Sequence, residues 1–162
     1  MQILISDANV LIDMDVGGLL EQMFQLPYTF QIPDMLFVDE LESHHPELLG
    51  YGLQSVELDE ECMMDAGLLV ARYSGPSRYD CFALSLAKQR SAPLLSGDKA
   101  LRKAAEKERV EVKGSVWVVT ELVIHGVISK DQALTAYKKM EAAGSRLPWI
   151  DAHRMLEDAH SA

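Results

Sequence analysis

Ile3, Leu4 and Ile5 form a short apolar run that stops at Ser6-Asp7. A continuous apolar run closed by polar residues marks a strand buried on both faces. From Asn9 to Met14 and from Leu19 to Phe24 the spacing becomes helical, interrupted at Gly17-Gly18. Tyr28 to Ile32 predicts a second strand, and Pro33, which lacks an N–H, suits the first turn of a helix carrying Phe37, Glu40 and Leu41. Gln54 to Leu58 predicts a third strand, followed by a helix from Glu60 to Tyr73 whose apolar positions include Met63, Met64, Leu68 and Ala71. Ser74-Gly75-Pro76 ends it. Ser77 has the form of an N-cap with Asp80 three residues on, and Phe82, Ala83, Leu86 and Ala87 make an inward helix face. Pro93 to Ser96 is a fourth strand, and Gly97-Asp98 opens a helix near Lys99 with Leu101, Ala104 and Ala105 apolar. Val110 to Val112 is a fifth short strand; beyond Val116 the pattern is helical, with breaks at Gly126 and at Gly144 through Pro148.

Strand and helix alternate through residue 113. Such alternation predicts an α/β protein, a three-layer α/β/α sandwich around a central parallel sheet of four to five strands with right-handed crossovers. The expected division is a core domain over 1–125 and a helical C-terminal extension over 126–162 packed on the same domain.

Composition narrows the class. With 162 residues, 48% of them hydrophobic, the chain can bury a full core. Cys62 and Cys81 lack metal-ligand spacing, and the opening residues carry no basic leader. No apolar run reaches the roughly 18 to 20 residues a bilayer needs, so a soluble cytoplasmic protein without a membrane partner is expected. The formal charge of −10 would disfavour a polyanionic partner, but it is unevenly spread. Residues 1–71 hold fourteen acidic side chains and no Lys or Arg, whereas 72–113 hold ten basic against five acidic. A basic surface for phosphate and a solvated helix face, with Glu106 and Glu108 among Lys103 and Lys107, are both consistent with that segment.

Open α/β sheets bind ligands beyond the carboxyl ends of their strands. Asp7 ends the first strand and Asp98 follows the fourth; Glu40 belongs to the helix after the second, and Asp80 to the first turn of the helix before the fourth. All four can reach one rim. Clustered carboxylates repel one another and call for a cation, and hard oxygen donors without nearby His or Cys select Mg²⁺ or Mn²⁺. Phosphodiester hydrolysis is the chemistry such a site suits. Taken singly, Asp7, Asp80 and Asp98 read as helix caps, Glu40 reads as a solvated side chain, and Asp39 or Glu42 stands as an alternative to Glu40.

The set resembles the PIN-domain family. Ile3 through Asp7-Ala8-Asn9 to Ile12 is similar to its opening motif, Ile32-Pro33 through Glu40-Leu41 to its second, Asp80 through Ala87 to its third, and Leu94 through Leu101 to its fourth. The resemblance implies a PIN-like nuclease domain in which Asp7, Glu40, Asp80 and Asp98 are both the metal ligands and the catalytic set, with Mg²⁺ or Mn²⁺ as cofactor. It implies Asn9 and Ser96 as supporting polar residues and RNA as substrate, with Arg78, Lys99, Arg102 and Lys103 as the candidate contacts. A toxin of a toxin–antitoxin pair, hence an antitoxin partner, follows by analogy, and a homodimer is a further expectation. The tail from Gly126 to Leu156 departs from the most compact toxins of the family.

Two rival readings are a non-catalytic PIN-like module binding RNA or protein, and a haloacid-dehalogenase-like phosphatase. The phosphatase would need Asp-x-Asp where this chain has Asn9. His44-His45 do not share a face for metal, Trp117 and Trp149 suit helix packing, and Met63-Met64 suits core filling.

Overall fold

Parallel strands need crossovers of a dozen or more residues, and the chain supplies one or two helices in each crossover. In the computed structural model, residues 1–159 are described. In chain order they form β1 (Gln2–Ser6), α1 (Ala8–Val16), α2 (Leu20–Met23), β2 (Tyr28–Pro33), α3 (Asp34–Glu40), α4 (Leu48–Tyr51), β3 (Gln54–Val56) and α5 (Glu60–Arg72). These are followed by α6 (Arg78–Arg90), β4 (Leu94–Leu95), α7 (Lys99–Lys107), β5 (Val112–Lys113), α8 (Ser115–Ile124), α9 (Lys130–Ala142) and α10 (Trp149–Asp158). The sheet order is β3-β2-β1-β4-β5 and every pairing is parallel, with Ile5 opposite both Gln31 and Leu94. Helices cover it, which gives the three-layer α/β/α arrangement.

Leu4, Ile5, Phe30, Ile32, Leu94 and Leu95 are buried in the three central strands. The core continues without interruption into Ala133, Tyr137, Met140, Ala152 and Leu156 of α9 and α10. The close approach of α1 to α9 uses Gly17, where a Cβ would sit 2.6 Å from Met140 Cε and 3.3 Å from Ala136 Cβ. Gly126 (φ +71°) turns the chain out of α8 in a conformation that disfavours other residues.

Three expectations need correction. The fifth strand lies at Val112–Lys113, not Val110 to Val112, because the sheet bond from the Leu94 amide to the Glu111 carbonyl sets its register. Pro33 closes β2 and precedes α3, one residue before the first turn. The inward face of α5 is Cys62, Ala66 and Leu69, whereas Met63, Met64, Leu68 and Ala71 point outward, Met64 being 67% exposed. Ser85 of α6 donates to the Cys62 carbonyl at 2.8 Å, so the Cys62 face of α5 lies against α6 and Met63 and Met64 fill no core.

Part of the basic segment is consumed internally. Glu108 accepts from Arg72 (2.7 Å), Lys88 (3.0 Å) and the Tyr73 hydroxyl, joining α5, α6 and α7. Burial alone would raise the Glu108 pKa, but the donors Tyr73, Lys88 and Arg72 overcome it and hold the carboxyl down to about 2. A depressed carboxyl stabilises the fold above its unfolded value of 4.5 and loses that contribution as pH falls toward 2. Glu108→Gln is expected to cost about 1–3 kcal/mol at neutral pH, and urea unfolding at pH 7 and pH 3 should show the deficit shrinking in acid.

No helix among the described residues is long and apolar enough to cross a membrane.

Candidate functional site

The strand order reverses between β1 and β4, so the loops leaving those two strands diverge and open a crevice. Ser6 is in register with Leu95, and the Asp7 amide donates to the Leu95 carbonyl at 2.9 Å. Asp7 and the Ser96-Gly97-Asp98 turn therefore leave the sheet side by side.

Asp7 is 3% exposed. Its Oδ1 caps α1 by accepting from the Val10 amide at 2.9 Å, while Oδ2 is buried without a hydrogen-bond partner. Burial pushes the carboxyl up to about 6; the Ser96 hydroxyl and the Val10 amide oppose the rise, and the charges of Asp80 and Asp13 add to it. Ser96 is close enough to favour the charged form without completing an aligned bond to Oδ2. Its buried Oγ also accepts from the Asp98 amide at 3.1 Å, so one hydroxyl organises both acidic turns.

Asp80 sits in the first turn of α6, where its Oδ2 accepts from the Ser77 amide (2.9 Å) and its own amide donates to Ser77 Oγ (3.1 Å). Its pKa is raised by burial and by Asp98, against the Ser77 bonds. Glu40 ends α3, exposed at the surface; partial desolvation raises its pKa, helped by the charges of Asp80 and Asp39. Asp98 caps α7 through Oδ2 and the Leu101 amide at 2.9 Å. Asp80 is thus the hub: its charge is felt at Asp7 and Glu40, and it feels Asp98. Each capping bond occupies one oxygen of a carboxylate that has two, so capping and ligation are compatible. Among the described residues, no three His, Cys, Asp or Glu side chains stand close enough to enclose an ion in this arrangement.

Glu40 and its two alternatives have different neighbours. Asp39 accepts from the Tyr79 hydroxyl, which ties α3 to α6, and Glu42 lies beyond the helix end. Asn9 is exposed and no described hydrogen bond engages it. Arg78 opens α6 with its guanidinium 5.2 Å from the Tyr79 ring centroid and 5.7 Å from that of Phe82. Lys99 and Lys103 are exposed on α7, whereas Arg102 Nη1 donates to the Ser96 carbonyl at 3.3 Å. His44 bonds Ser43, and His45 faces Asp15 and Glu47. Trp117 packs near Tyr28, and Trp149 near Tyr137.

Sequence reasoning missed Asp13. Its Oδ2 accepts from Ser115 at 2.7 Å and its Oδ1 from Ser145 at 3.3 Å, so it fastens the start of α8 and the tail to α1. Those partners are 102 and 132 residues away, beyond any local pattern.

A family model described as a PIN domain (DUF3368) matches residues 3–161. No curated protein matches the chain significantly.

Proposed function

The chain belongs to the PIN-domain family, a nuclease-type fold, and on that premise we propose that it is a metal-dependent ribonuclease hydrolysing RNA phosphodiester bonds at this acidic rim. The observation that carries the reading is the orphaned Oδ2 of Asp7, buried at the switch point of the sheet. A buried carboxylate oxygen without a donor is costly and is relieved by a cation. The surrounding donors are hard carboxylate oxygens, which fit Mg²⁺ or Mn²⁺. Asp7 and Asp98, with Asp80 and Glu40, would hold the ion, the exposed Glu40 being free to rotate toward it. When bound, such an ion supplies a water of lowered pKa and neutralises charge on the leaving oxygen. Ser96 holds the Asp98 turn through its amide and favours the charged form of Asp7, and Ser77 keeps Asp80 at the helix start. An antitoxin-controlled toxin is the biological setting that the family suggests; a module that binds RNA without cutting it is the second reading, favoured by the absence of a preassembled three-ligand cage among the described residues.

A Mn²⁺ titration with an unstructured RNA distinguishes them. Cleavage by the wild type should rise with Mn²⁺, and Asp98→Asn should lower it at least about a hundredfold. The fold should survive, since Asn caps a helix as well as Asp does. RNA bound but uncut at every Mn²⁺ concentration would establish the binding module instead.

A further inference from the structure

Beside the acidic rim lies a cavity of about 290 Å³ between the start of α7, the β5–α8 junction and the C-terminal tail. Arg102, Lys113 and Arg146 supply cations from three separate segments, and Leu147 and Met155 supply an apolar wall with Trp117, over whose ring the Lys113 ammonium lies at 5.3 Å from the centroid. Gly97, between Ser96 and Asp98, lines it, so the cavity shares a turn with the rim. A Cβ at Gly97 would meet nothing within 4 Å, so the shared turn is open at that position.

The charges here are incompletely neutralised. Arg102 gives one hydrogen bond to a neutral carbonyl, and among the described residues neither Arg102 nor Arg146 has an ion-pair partner. Lys113 pairs with Glu111 at 2.8 Å, and the one carboxylate in the lining, Asp151, is held by Arg154 at 2.6 Å. In a chain of net charge −10, a cavity with two unpaired guanidinium groups is positioned for an anion. Arg146 is also not on a loose end, because its neighbour Ser145 bonds Asp13 of α1.

We propose that this cavity binds a nucleotide of single-stranded RNA flanking the scissile phosphate, with Arg102 and Arg146 on a phosphate and the base against Trp117, Leu147 and Met155. A free anion would use only the cations; a flat heterocycle joined to phosphate uses both halves. The tail then acts as a wall of the substrate path. This proposal rests on the ribonuclease reading for the identity of the strand.

Binding is measured in EDTA, where cleavage is blocked, so the two ideas fail separately. Trp149→Phe leaves Trp117 as the sole tryptophan. A uridine trinucleotide should change its fluorescence saturably, with Arg146→Ala weakening binding about tenfold and flattening the logarithmic salt dependence by about 0.7. Because Trp149 is partly buried, the Arg102→Ala and Arg146→Ala comparisons are repeated in the two-tryptophan protein by anisotropy of labelled RNA, and both should weaken binding there too. Unchanged Trp117 emission, or wild-type affinity in both arginine variants, would overturn the assignment. Uridine monophosphate binding as tightly as the trinucleotide would also overturn it, by making the ligand a free nucleotide. Saturable trinucleotide binding beside a protein that never cleaves would leave the pocket standing and end the nuclease reading; cleavage with no pocket binding would do the reverse.

Discussion

Asp7→Asn is expected to abolish cleavage and, at the same time, to make the metal-free protein more stable. The wild-type carboxyl is pushed up to about 6 in the folded state, from 3.8. The folded protein therefore holds this proton more tightly than the unfolded chain, and stability falls as pH rises from about 4 to about 6. Above that window the penalty is complete, at most about 3 kcal/mol for a shift of this size. Asn keeps the capping bond to Val10 and carries no charge, so it escapes the penalty. Mn²⁺ should reverse the ranking, because an ion that binds only the folded state stabilises the wild type by mass action and has lost a ligand in the variant. Chemical denaturation from pH 4 to pH 8, with and without Mn²⁺, reads both effects. A variant less stable than wild type at pH 8 in EDTA would show that the buried oxygen is not the strained group described above.

Asp80→Asn tests the hub. Its charge raises the pKa of both Asp7 and Glu40, so neutralising it should lower both, although the residue lies in neither of their helices. Carboxyl titrations followed by NMR should show the two midpoints moving down together. On the ribonuclease reading, cleavage should fall at least about a hundredfold. The α6 start should persist, because the Asn carbonyl can accept from the Ser77 amide in place of Asp80. An Asp7 midpoint that stays in place would separate Asp80 from the site and leave it as a cap alone.

The parts of the site are written differently in the chain. Asp80 in Ser77-x-x-Asp80 and Asp98 before Lys99 are legible as helix starts, since a cap joins residues three apart. The strand runs were legible for a similar reason: burial on both faces requires an unbroken apolar stretch, as in Leu4-Ile5 and Leu94-Leu95. Where a helix can bury either of two faces, local pattern misleads. On α5 the larger side chains Met63, Met64 and Leu68 suggest the wrong side, because contact with α6 selects the face of Cys62, Ala66 and Leu69, a condition set by a neighbour and not by α5 itself.

What the amino-acid order alone determined is the sequence of strands and helices, and hence which carboxylates stand at element ends near one rim. Local hydrogen bonding and periodic burial act over three to seven residues and leave their trace in the chain. Only the tertiary structure decided that Asp7 keeps one oxygen without a donor and that Asp80 is the common neighbour of Asp7, Glu40 and Asp98. It alone set Asp13 holding α8 and the tail, and Arg102 and Arg146 facing one cavity. Each of these depends on groups tens of residues apart being buried together, where a missing donor or a nearby charge acts across a low-dielectric interior that no stretch of sequence contains.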